Sequence, residues 1–141
     1  MSLIVKTERA TQNRVIELLK KELGYRFLGN WHERENNGNI EESILRGFLT
    51  QKGYSRNLIG KALHELTTAA GDQSRSLYDA NKQVYQLLRY GVNVQPEAGR
   101  NKETIWLIDW QNPRANDFAF AEEVSIKGVH NKRPDIVIYI N

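Results

Sequence analysis

Apolar residues recur at helical spacing through the first two-thirds of the chain and at strand spacing through the last third. Val15, Ile16, Leu19 and Leu23 fall on one stripe. They predict a helix from about Glu8 to Leu23, capped by Thr7 and ended by Gly24. Tyr25 to Leu28 reads as a short extended segment, and residues 36–39 (Asn-Asn-Gly-Asn) as a loop. A helical hairpin follows. Ile40 to Gln51 carries Ile44, Leu45, Phe48 and Leu49 on one face, with Glu41 and Glu42 at the electropositive helix start. Gly53 breaks it, and Ser55 caps a second helix through Ala70 whose stripe is Leu58, Ile59, Ala62, Leu63 and Leu66. A fourth helix runs from Ser76 to Tyr90. Ser76 and Asp79 have capping-box spacing, Val84, Leu87 and Leu88 face inward, and Gly91 closes it.

Beyond Gly91 the period shortens to two. Val92–Gln95, Thr104–Asp109, Phe118–Ile126 and Asp135–Ile140 are predicted strands, with a hairpin turn over Glu97–Lys102 and a longer loop over residues 112–116. Strands this close in sequence pair antiparallel at least in part. The expected class is therefore α/β in the α+β sense: helices packed on a mixed, partly antiparallel sheet. No repeat or low-complexity tract stands out. The chain reads as one domain, residues 1–141, with the hairpin at about 40–70 as an insert.

Composition narrows the class without naming a function. In 141 residues, 40% are hydrophobic and 26% charged, the balance of a globular domain rather than a disordered one. No apolar run approaches the ~18 residues that span a bilayer, and the start lacks the apolar core of a secretory signal. There is no cysteine and so no disulfide, which is compatible with the expected cytoplasmic location; the lack of a spanning run leaves no membrane partner expected. Three scattered histidines, His32, His64 and His130, without cysteine disfavour a zinc site, and no phosphate-binding P-loop is present. The net charge of +3 permits nucleic-acid contact but does not argue for it. Trp31, Trp106 and Trp110 read as packing residues rather than base-stacking platforms.

The strongest local signal is Arg133-Pro134-Asp135 followed by the apolar run Ile136–Ile140. Proline is tolerated where a strand begins, and an acid there can reach a cleft. On the dipeptide alone, a structural aspartate accepting turn hydrogen bonds is the simpler reading. The basic cluster Lys127, Lys132 and Arg133 just upstream suits phosphate contact or a solvated loop equally well. The hairpin about Gly53 also has the outline of a helix-turn-helix, in which Arg56, Asn57 and Lys61 would face DNA.

Three stretches together carry more weight. Thr7-Glu8-Arg9-Ala10-Thr11-Gln12-Asn13-Arg14-Val15-Ile16 resembles the opening helix of type I restriction enzyme R subunits. Leu87-Leu88-Arg89-Tyr90-Gly91-Val92 and Leu107-Ile108-Asp109-Trp110-Gln111-Asn112-Pro113 resemble their central segment. Asn116-Asp117-Phe118, then Asn131-Lys132-Arg133-Pro134-Asp135-Ile136-Val137, resembles their run into the active-site strand. The resemblance covers nearly the whole chain and is weakest from Leu28 to Gly71.

It implies the N-terminal part of a nuclease domain of the PD-(D/E)XK class, with a restriction-endonuclease-like fold that is incomplete here. In that class an acid-x-lysine follows on the next strand. Only Asn141 follows Ile140, so the chain is expected to stop before that strand and not to cleave DNA by itself. The resemblance further implies Mg²⁺ as cofactor, with Asp135 and Glu8 as catalytic, metal-binding acids, and Lys127, Lys132 and Arg133 as DNA contacts. Its implied partners are double-stranded DNA and the methylation and specificity subunits, with ATP used only in motor domains downstream. The competing expectation is a non-catalytic DNA-binding or subunit-docking module built on the hairpin.

Overall fold

The computed structural model describes residues 3–141, with side chains from Thr7 onward. The elements are α1 (Leu3–Glu17), β1 (Arg26–Asn30), α2 (Glu42–Gln51), α3 (Arg56–Ala70), α4 (Leu77–Tyr90), β2 (Val92–Val94), β3 (Glu103–Ile105), β4 (Phe118–Glu122) and β5 (Ile136–Ile140). Helices pack with a mixed sheet and a small antiparallel one, as the α+β expectation requires. The strands divide between two sheets, and the chain between two compact units: Met1–Asn39 with Phe118–Ile140, and Ile40–Asp117 with Asn141. The hairpin expected over residues 40–70 is thus part of a larger unit that runs on to Asp117. No described helix is long and apolar enough to cross a membrane.

In the first unit, α1 begins at Leu3, well before Thr7. Thr7 is therefore an interior helical residue rather than a cap, and its carbonyl accepts from the Thr11 hydroxyl at 2.9 Å. The helix continues into a wider π turn, Leu18–Glu22, where the Leu23 N–H reaches back to the Leu18 carbonyl. Gly24, at φ +68°, then lets the chain turn away. The wider turn changes the phase of the apolar stripe. Ile16 and Leu19 are buried as expected; Leu23, after the turn, is exposed, and Val15, before it, faces an open cleft instead of the core.

Ile16 and Leu19 pack on Phe120, with Tyr25, Phe27 and Ile136 around them. Phe120 belongs to β4, the central strand of the order β1-β4-β5. Central placement explains why four of its five residues are buried. β1 runs parallel to β4, with an irregularity between Phe27 and Asn30 where Gly29 takes φ +106°. β5 runs antiparallel to β4, from Phe118↔Ile140 to Glu122↔Ile136. The predicted strand through Ile126 breaks at Glu123, whose φ of +53° leaves the extended region. Pairing resumes as a bridge between Ile126 and Lys132. Among the described residues β5 pairs with β4 alone, and its Ile138 and Ile140 are half exposed.

The second unit packs three helices on the β2–β3 hairpin. Leu49, Ala62, Leu63, Val92, Ile105 and Leu107 form the driest part of its core. Both predicted serine caps are present: the Ser55 hydroxyl accepts from the Leu58 N–H at 3.3 Å, and Ser76 from the Asp79 N–H at 3.1 Å. β3 ends at Ile105, four residues before its predicted end. Beyond it the backbone turns to side chains: the Trp106 N–H donates to the Tyr54 hydroxyl and the Asp109 N–H to Asn116 Oδ1.

Candidate functional site

The face of α1 that carries Glu8, Thr11, Gln12 and Val15 has the i, i+3, i+4, i+7 spacing that places side chains on one side of a helix. It forms one wall of an open cleft of about 870 Å³ in the first unit. The opposite wall is the irregular end of β4 and the start of β5, which contribute Glu123, Arg133, Asp135 and Ile136. Two backbone bonds hold this wall in place. The Glu123 N–H donates to the Asp135 carbonyl at 2.8 Å and the Val124 N–H to the Pro134 carbonyl at 3.0 Å. Asp135 thus stands immediately before β5, its main chain anchored and its side chain exposed.

A buried carboxylate joins α1 to the sheet. Glu122, only 6% exposed, accepts from both terminal guanidinium nitrogens of Arg9, at 3.1 and 3.3 Å, and from Gln12 Nε2 at 3.0 Å. A buried acid requires such partners to offset the loss of water. Gln12 also reaches Glu123 Oε1 at 3.1 Å, and Arg133 pairs with Glu123 Oε2 at 3.0 Å. Both arginines of the cleft are therefore committed to glutamates. The Glu8 and Asp135 carboxylates carry no hydrogen bond or ion pair among the described residues.

The expected pair, Glu8 and Asp135, thus lines one cleft. Glu8 lies beyond the first turn of α1, which holds no acid, so it does not serve to stabilise the helix dipole, an effect that fades within that turn. Lys127 and Lys132 are exposed on the loop before Asp135 but do not line the cleft; Arg133 does, bound to Glu123. Arg56, Asn57 and Lys61 begin α3 in the other unit. There Asn57 donates to the Pro96 carbonyl at 3.1 Å, and Lys61 to the Gln95 and Pro96 carbonyls at 2.8 and 3.2 Å. All three side chains are exposed, as a recognition helix would require, but the Asn57 and Lys61 heads also fasten the helix to the β2–β3 turn.

Sequence reasoning missed Glu122 and its partners Arg9 and Gln12. The signal was available: a second acid directly after the apolar Phe118–Ala121 run. On metal chemistry, no group of three or more His, Cys, Asp or Glu side chains able to hold an ion occurs among the described residues. Two uncommitted carboxylates still match what Mg²⁺ takes from a protein, which is usually one or two, with water and phosphate completing the shell.

The model of the family "Type I restriction enzyme R protein N terminus" matches residues 5–141. The chain belongs to this family. The match spans nearly all of α1, both sheets and Asp135, so this R-protein N terminus includes the whole cleft as well as the Ile40–Asp117 unit. No curated protein and no solved structure matches it.

Proposed function

We propose that this R-protein N terminus supplies the acidic half of a Mg²⁺-dependent nuclease site that cuts double-stranded DNA. The observation that supports it is the convergence of Glu8 and Asp135 on one cleft in which every other charged side chain is already paired. An ion held by these two acids would polarise a phosphate. The protein's own contribution is positional. Glu122 fixes α1 through Arg9 and Gln12, and so fixes Glu8 one residue from Arg9. The Glu123 and Val124 N–H groups fix the backbone at Asp135. Lys127 and Lys132, exposed on the loop that leads to Asp135, would take DNA phosphates, while Arg133 serves chiefly to neutralise Glu123. In the intact R protein this segment would act with methylation and specificity subunits, and ATP would be used only by motor domains elsewhere in that protein. The alternative, a recognition helix at α3, has Arg56, Asn57 and Lys61 exposed, but two of the three, Asn57 and Lys61, already bond the Gln95 and Pro96 carbonyls.

Isothermal titration of the chain with Mg²⁺ or Mn²⁺ tests the site. Asp135→Asn and Glu8→Gln should each weaken binding at least about tenfold, a loss of ~1.4 kcal/mol, without lowering the melting temperature. Unchanged affinity in both variants would refute the metal role. In the intact R protein, Asp135→Ala should abolish DNA cleavage and leave ATP hydrolysis intact.

A further inference from the structure

The Ile40–Asp117 unit has a cleft of its own, of about 450 Å³, lined by Lys52, Tyr54, Arg89, Trp106, Asp109 and Trp110, among others. Its two tryptophans are 43% and 46% exposed, contrary to the packing role expected for them. Neither is loose. Trp110 Nε1 donates to the Leu88 carbonyl at 2.9 Å, and the Trp106 backbone N–H donates to the Tyr54 hydroxyl at 3.1 Å. Gly91 leaves space beside Trp106, since a Cβ there would lie 3.5 Å from its Cδ2.

The charges of the cleft are unequal in availability. Lys52 and Asp109 neutralise each other at 2.6 Å. Arg89 has no carboxylate partner among the described residues; its guanidinium sits 5.2 Å from the Trp110 ring centre and 5.5 Å from that of Tyr90. The cleft thus offers exposed aromatic surface and a cation that lies over aromatic rings without a carboxylate partner, with its one acid already paired. This composition disfavours cationic ligands. It suits a planar ring that bears an anionic group, because bases stack on aromatic side chains and a guanidinium binds phosphate by its N–H edge.

We propose that this cleft binds an unpaired nucleotide of single-stranded DNA, the base against the tryptophans and the phosphate on Arg89. A duplex keeps its bases stacked inside and cannot offer one. A proline-rich peptide also docks on tryptophan-lined grooves, but it leaves the Arg89 charge unused. The proposal is independent of the metal site, and its test is run in EDTA. The chain is titrated with an oligothymidylate about twelve nucleotides long, at low salt, with tryptophan fluorescence as the signal. Saturable quenching is expected, retained in Trp31→Phe because Trp31 lies in the other unit. A duplex of the same length should bind at least about tenfold more weakly. Arg89→Ala and Trp110→Ala, each shown to be folded by thermal melting, should lose about five- to 150-fold in affinity, and Trp110→Phe should keep most of it. Absent quenching, or full affinity in both alanine variants, overturns the proposal. So does thymidine monophosphate binding as tightly as the oligonucleotide, or a proline-rich peptide binding more tightly than either.

Discussion

Arg9→Ala should destabilise the first unit more than Glu122→Gln, although both remove the same ion pair. Glu122 is 6% exposed, whereas the Arg9 side chain is half exposed. Stripping one partner from a fully buried pair costs about 3–5 kcal/mol, and from an exposed pair about 0–1. Loss of Arg9 leaves a buried carboxylate with only Gln12 as donor. The half-exposed geometry and that remaining bond place the cost at about 2 kcal/mol. Glu122→Gln keeps the volume and one acceptor oxygen, and it frees Arg9 into water, so about 1 kcal/mol is expected. Urea denaturation of both single variants and the double variant, extrapolated to water, closes a double-mutant cycle. The expected coupling is about 1 kcal/mol. A coupling below about 0.5 kcal/mol, the level of an ordinary surface pair, would refute the claim that this bond ties α1 to the sheet. So would a costlier Glu122→Gln than Arg9→Ala.

Gly91→Ala should cost about 2–4 kcal/mol, because φ +82° with ψ 170° is a glycine-only conformation and the new Cβ would lie 2.5 Å from Thr104 Cγ2; a loss under about 1 kcal/mol in the same assay would contradict it. The Lys52 ammonium, and after it the Asn112 N–H, hold the Asp109 carboxyl below its ordinary value. A depressed acid contributes stability above its unfolded pKa and loses it as pH falls through the folded one. The melting temperature should therefore drop less steeply below about pH 4 in Asp109→Asn than in the parent chain, and equal slopes would dismiss the pair. Lys61→Ala should leave duplex DNA affinity within about twofold, as expected of a group bound to the β2–β3 turn; a tenfold loss in a gel-shift assay would favour the recognition-helix reading instead.

The local order of the fold was legible because it depends on neighbours in sequence. Ser55 and Ser76 cap their helices as their positions require, and the Leu58–Leu66 stripe is buried as its spacing predicts. What escaped depends on partners distant in the chain. The end of β3 at Ile105 is set by Tyr54 and Asn116, which take the N–H groups of Trp106 and Asp109 away from the ladder. The parallel pairing of β1 with β4 joins segments far apart in the chain, Arg26 opposite Ala119, 93 positions on, and no local pattern announces it. The site was half legible. Glu8 and Asp135 stood out by resemblance, while Glu122 looked like any strand-end acid until Arg9, 113 positions away, was found on it.

The edge of β5 bears on how such a cleft could be regulated. A strand with one side unpaired presents a row of N–H and C=O groups that can template another strand, and Asp135 sits at one end of that row. An added strand would lay its own side chains beside Asp135 in a register fixed by backbone pairing. Slipping by one residue would send those side chains to the opposite face. Alignment, more than affinity, would then decide whether an incoming segment arms the cleft or merely caps it.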